Sequence, residues 1–171
     1  MVSNIAAGTQ TQIQGILNLG LVPPLIDVVK NGEFKAQKEA AWALTNLTSG
    51  GSVDQIGFLA NAGGIQALCS LLTCRDSKLH LVLLDGISNI LTTGKKIGQL
   101  KSACNDVETC GGLDKIERLQ ASPNEEVYRA ALDLIEKFFS DEGDEDENVA
   151  PETRVTGAFT FSAPANVKIE F

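Results

Sequence analysis

GLVPPLIDVV, at residues 20–29, is the first of three related stretches in this chain. The second is GGIQALCSLL at residues 63–72, and the third is GGLDKIERL at residues 111–119. Each stretch starts with glycine and a short apolar run, and a polar loop and a longer amphipathic segment follow it. Successive copies start 43 and then 48 residues apart. This spacing indicates an internal structural repeat.

The period of the repeat predicts the fold class. Units of roughly 40–47 residues are typical of armadillo and HEAT proteins, in which two or three helices form one unit. Three helical segments can be placed in each copy, so we predict an all-α, right-handed superhelical solenoid of armadillo type with about three repeats of three helices. The predicted helices cover residues 9–19, 22–30 and 33–48, then 53–61, 65–73 and 77–93, and finally an irregular segment 95–108, 113–120 and 124–139.

Residues with strong positional preferences support several of these helix boundaries. Pro23 and Pro24 are tolerated in a first helical turn, where amide hydrogens have no helical acceptor. Asp76 and Ser77 compete as the N-cap of the long helix in the second copy. Pro123 is predicted to lie in the first turn of the last helix.

The long helix of the first copy has a clear apolar stripe. Phe34, Ala41, Leu44 and Leu47 recur at helical spacing, so we expect all four side chains to face the core. Polar residues dominate the remaining positions of the same helix. The stripe therefore predicts one buried face and one exposed face.

Composition divides the chain into residues 1–140, which carry the repeats, and residues 141–171. The second segment begins with six acidic residues in the seven positions 141–147 and continues with Gly, Thr, Pro and Ala. Such a composition predicts an acidic, disordered tail that is simply solvated. The last helix before it is expected to cap the solenoid, because it carries Glu125, Glu126, Arg129, Asp133, Glu136 and Lys137.

The beginning of the chain matches the end of a long helix rather than its start. SNIAAG at residues 3–8 aligns with TNLTSG at residues 45–50. We therefore expect the sequence to begin within a repeat of a longer array, of which it is a fragment.

Charge and hydropathy exclude several classes of protein. The net charge is −8 and the pI is near 4.6, which argues against nonspecific binding to nucleic acid. No apolar run reaches the roughly 20 residues that span a membrane, and no basic-then-apolar leader opens the chain. The expected location is the cytosol or the nucleus.

Residue types used in catalysis and metal binding do not form a recognisable site. The four cysteines form no CxxC pair, and His80 is not spaced to complete a zinc site, so buried reduced thiols are predicted. Gly94-Lys95-Lys96 lacks the glycine spacing of a phosphate loop. We predict that the protein is not an enzyme and needs no cofactor.

Glu39, Trp42 and Asn46 form the most distinctive constellation in the chain. Their offsets of three and seven place them on one face of the first long helix. An indole packs the stem of Lys or Arg and attracts its charge, a carboxylate neutralises the cation, and a primary amide can pair with a peptide backbone. These are the contacts that an extended basic peptide requires. The alternative is that Trp42 belongs to the core.

The sequence around this constellation closely resembles the importin-alpha family, the adaptors that read nuclear localisation signals. QKEAAWALTNLTSGG at residues 37–51, VPPL at 22–25 and CGGLDKIE at 110–117 carry the resemblance. GAFTF at residues 157–161 and ANV at 165–167 resemble the alpha-3 subtype. The resemblance covers essentially the whole chain and implies the C-terminal part of such an adaptor.

In that family, a rung is a Trp and an Asn four residues apart on a long helix, and successive rungs line the concave groove. Trp42 and Asn46 match one rung, and Asn4 matches the Asn of the preceding rung, whose Trp would fall just before this sequence. The next repeat keeps Asn89 but has Asp85 at the tryptophan position, while Asp133 and Lys137 occupy both positions in the last repeat, so the ladder ends here. The peptide-binding residues that the resemblance implies are Ser3, Asn4, Glu39, Trp42, Asn46, Asp85 and Asn89.

The resemblance also implies partners. Basic nuclear-localisation-signal peptides would occupy the minor site, while the export receptor and nucleoporins would contact the last repeats. The outer face of the last repeats is a candidate surface for viral or signalling proteins. The importin-beta-binding segment and the major signal site would lie outside this sequence, and the protein would shuttle between cytoplasm and nucleus. The alternative is a generic armadillo scaffold whose partner is unrelated to nuclear signals.

Overall fold

The computed structural model describes residues 8–140. Predictions that fall on residues 1–7 and 141–171, including those for Ser3, Asn4 and the acidic tail, lie outside the described residues. Within residues 8–140 every regular element is a helix, as predicted. The helices of this part of the chain are α1 (Gln10–Asn18), α2 (Val22–Asn31), α3 (Phe34–Gly50), α4 (Val53–Asn61), α5 (Gly64–Ser70), α6 (Ser77–Lys96), α7 (Leu100–Thr109), α8 (Gly112–Leu119) and α9 (Glu125–Phe138).

The helices form three successive triplets. The long third helices α3, α6 and α9 pack against one another in one row, and the second helices α2, α5 and α8 pack in another. Each triplet therefore contacts mainly its neighbours in the stack, which is the arrangement expected of a repeat solenoid. The prediction of three helices per repeat is confirmed for residues 8–140.

The glycine that opens each sequence repeat has a conformational role. Gly20, Gly63 and Gly111 all have positive φ angles, of 67°, 100° and 73°. Other residues rarely adopt this left-handed region, because their Cβ atom would clash with the backbone. Each glycine lies in the turn between the first and second helix of its repeat, so the turn reverses the chain in the same way in all three copies.

One continuous hydrophobic core joins the three repeats. Aliphatic side chains dominate it, and aromatic side chains are nearly absent from its centre. Burial of each such side chain contributes roughly 1.5–3 kcal/mol relative to exposure. The largest fully buried side chains are Ile13, Leu44, Leu59, Ile65, Leu68, Leu79, Leu83, Leu84, Ile87, Ile90, Leu91 and Ile116.

The close contact between α3 and α6 depends on Gly86. A Cβ atom at position 86 would lie 2.6 Å from Thr45 Oγ1 and 2.9 Å from Leu68 Cδ1. Thr45 Oγ1 uses this proximity to donate a hydrogen bond to Val82 O, at 3.0 Å. The two long helices are thereby joined by a buried polar contact.

Phe34 contradicts the prediction that it faces the core. Ala41, Leu44 and Leu47 are buried, whereas Phe34 is 46% exposed. At 3.6 residues per turn, Phe34 lies within about 20° of the buried Ala41, so its angular position does not account for its exposure. Phe34 is the first residue of α3, and the buried residues of this helix begin only at Ala40, so its first turn lies outside the core.

Two predicted boundaries were also wrong. Pro123 lies before α9, because Asn124 is the N-cap and its Oδ1 accepts a hydrogen bond from the Val127 amide at 3.1 Å. The segment 95–108 is not irregular, since α6 runs on to Lys96 and α7 is an ordinary helix. A turn at Gly98, with φ of 74°, separates the two.

No single helix among residues 8–140 has the length and apolar character to cross a membrane. The pair α1 and α2 passes such a test only jointly, and it is bent by 80° at the break.

Candidate peptide-binding site

The exposed side of α3 carries the three residues that the sequence placed on one face. Trp42 is 43% exposed, although its neighbours Ala41 and Ala43 are buried. Glu39 is exposed and Asn46 is half-buried. Trp42 is therefore not a core residue, and its indole face is accessible from the exposed side of the row α3, α6 and α9. We call this side the long-helix face.

Lys38 is the basic residue beside this constellation, and it is engaged by Asp76. Its Nζ lies 2.7 Å from Asp76 Oδ2 and 5.7 Å from the ring centre of Phe34. The hydrogen bond and the opposite charge of Asp76 raise the pKa of Lys38. The hydrogen bond from Lys38, together with that from the Leu79 amide, lowers the pKa of Asp76. This ion pair balances a positive charge close to Glu39 and Trp42.

Asp76 is also the N-cap of α6, which settles the competition with Ser77. Its Oδ1 accepts a hydrogen bond from the Leu79 amide at 3.0 Å. A side-chain oxygen in this position satisfies one of the amide hydrogens that the first turn leaves without a helical acceptor. One carboxylate thus starts α6 and holds it to α3.

Asn89 on α6 corresponds in the repeat to Asn46 on α3, but its amide is turned toward the neighbouring helix. Its Nδ2 donates to Thr48 Oγ1 at 3.0 Å and approaches Ser49 Oγ at 3.3 Å. It also approaches Asp85 Oδ2 at 3.4 Å. The amide therefore joins α6 to the last turn of α3. Asp85, at the tryptophan position, is exposed on the long-helix face.

These contacts show that α3 and α6 run in the same direction. Lys38 meets Asp76 near both helix starts, and Thr48 near the end of α3 meets Asn89, which lies further along α6. Successive positions along α3 therefore meet successive positions along α6. This parallel order places Asp85 next along the face after Trp42.

Between α6 and α9 the same face opens into a cavity of about 720 Å³. Its wall combines leucine side chains with three carboxylates and a lysine, so it suits a ligand with both aliphatic and cationic parts. The lining residues are Leu81, Leu84, Asp85, Ser88, Ala130, Asp133, Leu134, Glu136 and Lys137. Asp133 and Lys137, the residues at the rung positions of the last repeat, lie here together with Asp85.

Sequence reasoning missed this cavity and the pair formed by Lys38 and Asp76. The spacing of Leu81, Leu84 and Asp85 on one helical face was an available signal for the cavity. The ion pair links residues of different repeats, and no local pattern announces such a contact.

Residues 8–140 contain no group of three or more His, Cys, Asp or Glu side chains that could hold a metal ion. His80 is buried, and its Nε2 lies 2.9 Å from the carbonyl oxygen of Cys74. The ring therefore packs in the interior, against the loop that leads into α6.

Comparisons with known proteins agree with the helical arrangement. The armadillo/beta-catenin-like repeat family matches residues 9–49 and 52–92, and the atypical Arm repeat family matches residues 101–152. A designed armadillo repeat protein superposes with a TM-score of 0.64 at 30% identity, covering 80% of this chain and 55% of the design. Another designed armadillo repeat protein, solved in complex with the peptide (KR)4, gives a TM-score of 0.50 at 25% identity over 80% of this chain and 72% of the design.

Several importin subunits are similar in sequence. Importin subunit alpha-4 of Arabidopsis thaliana is 42% identical over 151 residues, which cover 84% of this chain and 28% of that protein. Importin subunit alpha-8 of Mus musculus is 37% identical, over 84% of this chain and 29% of that protein. Importin subunit alpha-3 of Caenorhabditis elegans is 44% identical, over 58% of this chain and 19% of that protein. The chain spans less than a third of the length of these relatives, and by its repeats and its sequence it belongs to the importin-alpha family of armadillo-repeat proteins.

Proposed function

We propose that the chain is part of a nuclear-import adaptor and that its long-helix face binds basic nuclear-localisation-signal peptides. The observation that carries the proposal is the exposure of Trp42, which lies on α3 between buried alanines and beside Glu39. The names of the importin-alpha relatives support it. So does the designed armadillo protein in complex with (KR)4, since that peptide is entirely basic.

Each residue has a distinct role in this proposal. The Trp42 indole packs the aliphatic stem of a Lys or Arg and attracts its charge. Glu39 neutralises the cation, and Asn46 pairs with the ligand backbone. Asp85 extends the negative charge along the face.

The structure supports the other residues implied by the resemblance less directly. Asn89 holds α6 to α3 through its Nδ2. Only the hydrogen-bonding capacity that these contacts do not use is offered to a ligand. Ser3 and Asn4 lie outside the described residues, and their contribution to the peptide site is part of the proposal.

The last repeats are proposed to serve other partners of the adaptor. Export receptor and nucleoporins would contact α7–α9, and viral or signalling proteins would use the outer face. Importin-beta would bind through a segment outside this sequence, and the adaptor would shuttle between cytoplasm and nucleus. The cavity between α6 and α9 supports a separate binding surface here, because it combines apolar and charged walls.

The competing function is a generic armadillo scaffold with no preference for nuclear signals. Fluorescence of Trp42 distinguishes the two, because Trp42 is the only tryptophan in the chain. The protein is titrated with a basic nuclear-signal peptide and with a scrambled peptide of equal charge, at low and at physiological salt. A saturable change with the signal peptide alone is expected. Equal changes with both peptides, or none with either, would favour the generic scaffold.

Substitution of Trp42 tests its role directly. We expect Trp42→Ala to weaken binding of a fluorescently labelled basic peptide, measured by anisotropy, by about 2- to 30-fold, the range of an indole–cation contact. Asp85→Ala should weaken binding less, because it offers charge but no stacking surface. Phe58→Ala is a matched control, since Phe58 is an exposed aromatic residue of α4, outside the row of long helices. Equal losses for Trp42→Ala and Asp85→Ala would contradict the proposed site.

A further inference from the structure

Two of the four cysteines meet where the second repeat packs on the third. Cys69 lies near the end of α5 and is 1% exposed. Cys110 follows the last residue of α7 and is half-buried. The two thiols lie within reach of each other, because each alters the pKa of the other. Residues 41 positions apart in the sequence thus place their sulfur atoms together.

The turn between α7 and α8 is shaped to admit the Cys69 sulfur. A Cβ atom at Gly112 would lie only 2.5 Å from Cys69 Sγ and 3.0 Å from Val107 O. Glycine at position 112 therefore leaves the space that the sulfur occupies. Cys110 Sγ lies 3.3 Å from the same Val107 oxygen, so both thiols are held at one end of α7.

The other two cysteines are directed elsewhere. Cys74 Sγ lies 4.0 Å from the carbonyl oxygen of Asp76, in the loop before α6. Cys104 Sγ lies 3.6 Å from the carbonyl oxygen of Phe138, against α9. Because each of these thiols engages a different segment, Cys69 and Cys110 are the two cysteines that lie together.

The surroundings make Cys110 the more reactive member of the pair. The hydrogen bond from Cys69 lowers the pKa of Cys110 to about 6, and the Gly112 amide and the Lys115 ammonium act in the same direction. The same hydrogen bond and burial raise the pKa of Cys69. Lys115 is held in place because its Nζ donates to the Cys69 carbonyl oxygen at 3.2 Å. A thiolate is the nucleophilic form of cysteine, and partial exposure gives it access to small oxidants.

We propose that Cys69 and Cys110 form a reversible disulfide in response to hydrogen peroxide, and that this bond locks α5 to the turn between α7 and α8. The Cys110 thiolate first attacks one peroxide oxygen, the O–O bond breaks, and hydroxide leaves. Cys69 sulfur then attacks the resulting sulfenic acid, the S–O bond breaks, and water leaves with the Cys69 proton. The two thiols lose two electrons, and the peroxide is reduced to two molecules of water.

The bond would act on the junction of two repeats. In a solenoid each unit is held mainly by its neighbours, so a covalent link across one junction restricts the relative movement of those two units. Reduction of the disulfide to two thiols would restore the state without the cross-link.

Peroxide treatment of the intact chain tests the proposal. The protein is exposed to hydrogen peroxide, remaining thiols are alkylated, and cross-linked peptides are mapped by mass spectrometry before and after reduction. We expect a reducible link between Cys69 and Cys110, with Cys74 and Cys104 still alkylated. A link that includes Cys74 or Cys104, a link only between two chains, or persistence of all four free thiols would overturn the proposal.

Single substitutions separate the roles of the two thiols. In Cys69→Ser, sulfenic acid should accumulate at Cys110, where dimedone traps it, because the second thiol is missing. Cys110→Ser should leave Cys69 reduced. Cys104→Ser is the matched control and should form the link at the wild-type rate. Dimedone labelling that favours Cys104 over Cys110 in the Cys69→Ser protein would contradict the proposal, and circular dichroism checks that each variant is folded.

Discussion

The side chain of Gly86 is a single hydrogen atom, which allows α3 and α6 to pack closely. Gly86 is buried in the middle of a long helix, where glycine is ordinarily less favourable than alanine by roughly 0.5–1 kcal/mol. Close packing offsets this cost, because Thr45 and Leu68 approach Gly86 at distances that a methyl group would not allow. Glycine at this position therefore serves the contact between repeats rather than the stability of the helix itself.

Gly86→Ala is expected to destabilise the protein. The added methyl group would displace Thr45 Oγ1 from its hydrogen bond with Val82, and overpacking of this kind costs about 1–3 kcal/mol. Gly15→Ala is the matched control, because Gly15 is also within a helix but has nothing within 4 Å of an added Cβ. That change should stabilise the protein by up to about 1 kcal/mol. Urea denaturation measures both, and equal effects of the two substitutions would contradict the close-contact argument.

At the same scale, sequence reasoning succeeded where periodicity was sufficient. Trp42 was correctly placed on the face that Glu39 and Asn46 share, because three positions on one helix fix one another. Phe34 was misplaced, because a hydrophobic side chain at the first position of a helix is not bound by the stripe that follows. Asn89 kept its place in the pattern, but its contacts with Thr48 and Ser49 could not be read from the pattern, since they belong to a neighbouring repeat.

At the scale of the element, α6 is held at its beginning by one carboxylate with two functions. Asp76 caps the helix and binds Lys38 of α3. Both interactions favour the charged carboxylate, which is why its pKa is lowered from the ordinary value of 3.8. The start of α6 is therefore expected to respond to acid.

Asp76→Asn tests this response because asparagine keeps the capping oxygen and removes the charge. A carboxylate whose folded pKa is depressed stabilises the protein above its unfolded pKa, and the contribution disappears as pH falls through the folded pKa. The wild type should therefore be more stable than the variant at pH 6, and the difference should shrink progressively below pH 3.8. Thermal denaturation across this range measures it.

Asp54→Asn provides the control for that experiment. Asp54 is an exposed acid in the first turn of α4, so it also lies near a helix N-terminus, but it is not the N-cap and does not contact Lys38. Its substitution should change the acid dependence less. A difference between wild type and Asp76→Asn that stays constant from pH 6 to pH 3 would show that the charge of Asp76 is unimportant.

At the scale of the whole molecule, the three repeats share one core and are stacked in the order in which they occur in the sequence. Each triplet is stabilised by its own helices and by the neighbouring triplets. Stability in such an array is approximately the sum of the repeat terms and the terms for adjacent interfaces. Damage to one repeat should therefore spread to the next and weaken with distance.

Ile116→Ala tests this gradient. Ile116 is fully buried in α8, so its truncation should cost about 2–5 kcal/mol. Hydrogen exchange followed by mass spectrometry should show the largest loss of protection in α7–α9, a smaller loss in α4–α6 and the smallest in α1–α3. A uniform loss along all described helices would mean that the array unfolds as one cooperative unit.

The overall architecture was largely predictable, because the period of the glycine-led pattern fixes both the number of repeats and the order of their helices. The cavity between α6 and α9 and the pair formed by Cys69 and Cys110 were not predictable in this way. Both depend on side chains from different repeats, and their approach follows from how the helices settle against one another. A single sequence records such contacts only indirectly, as in the glycine at position 112.

The contact at Gly86 also affects the pitch at which the long-helix face could engage a ligand. An extended polypeptide advances about 6.6–7.2 Å every two residues, whereas packed helices generally lie about 8–10 Å apart. For a straight ligand that crosses successive helices, the length of two residues would thus fall short of the helix spacing by roughly 1–3 Å per repeat. Because position 86 carries no methyl group, α3 and α6 can approach each other more closely, which would reduce this mismatch for an extended ligand on the long-helix face.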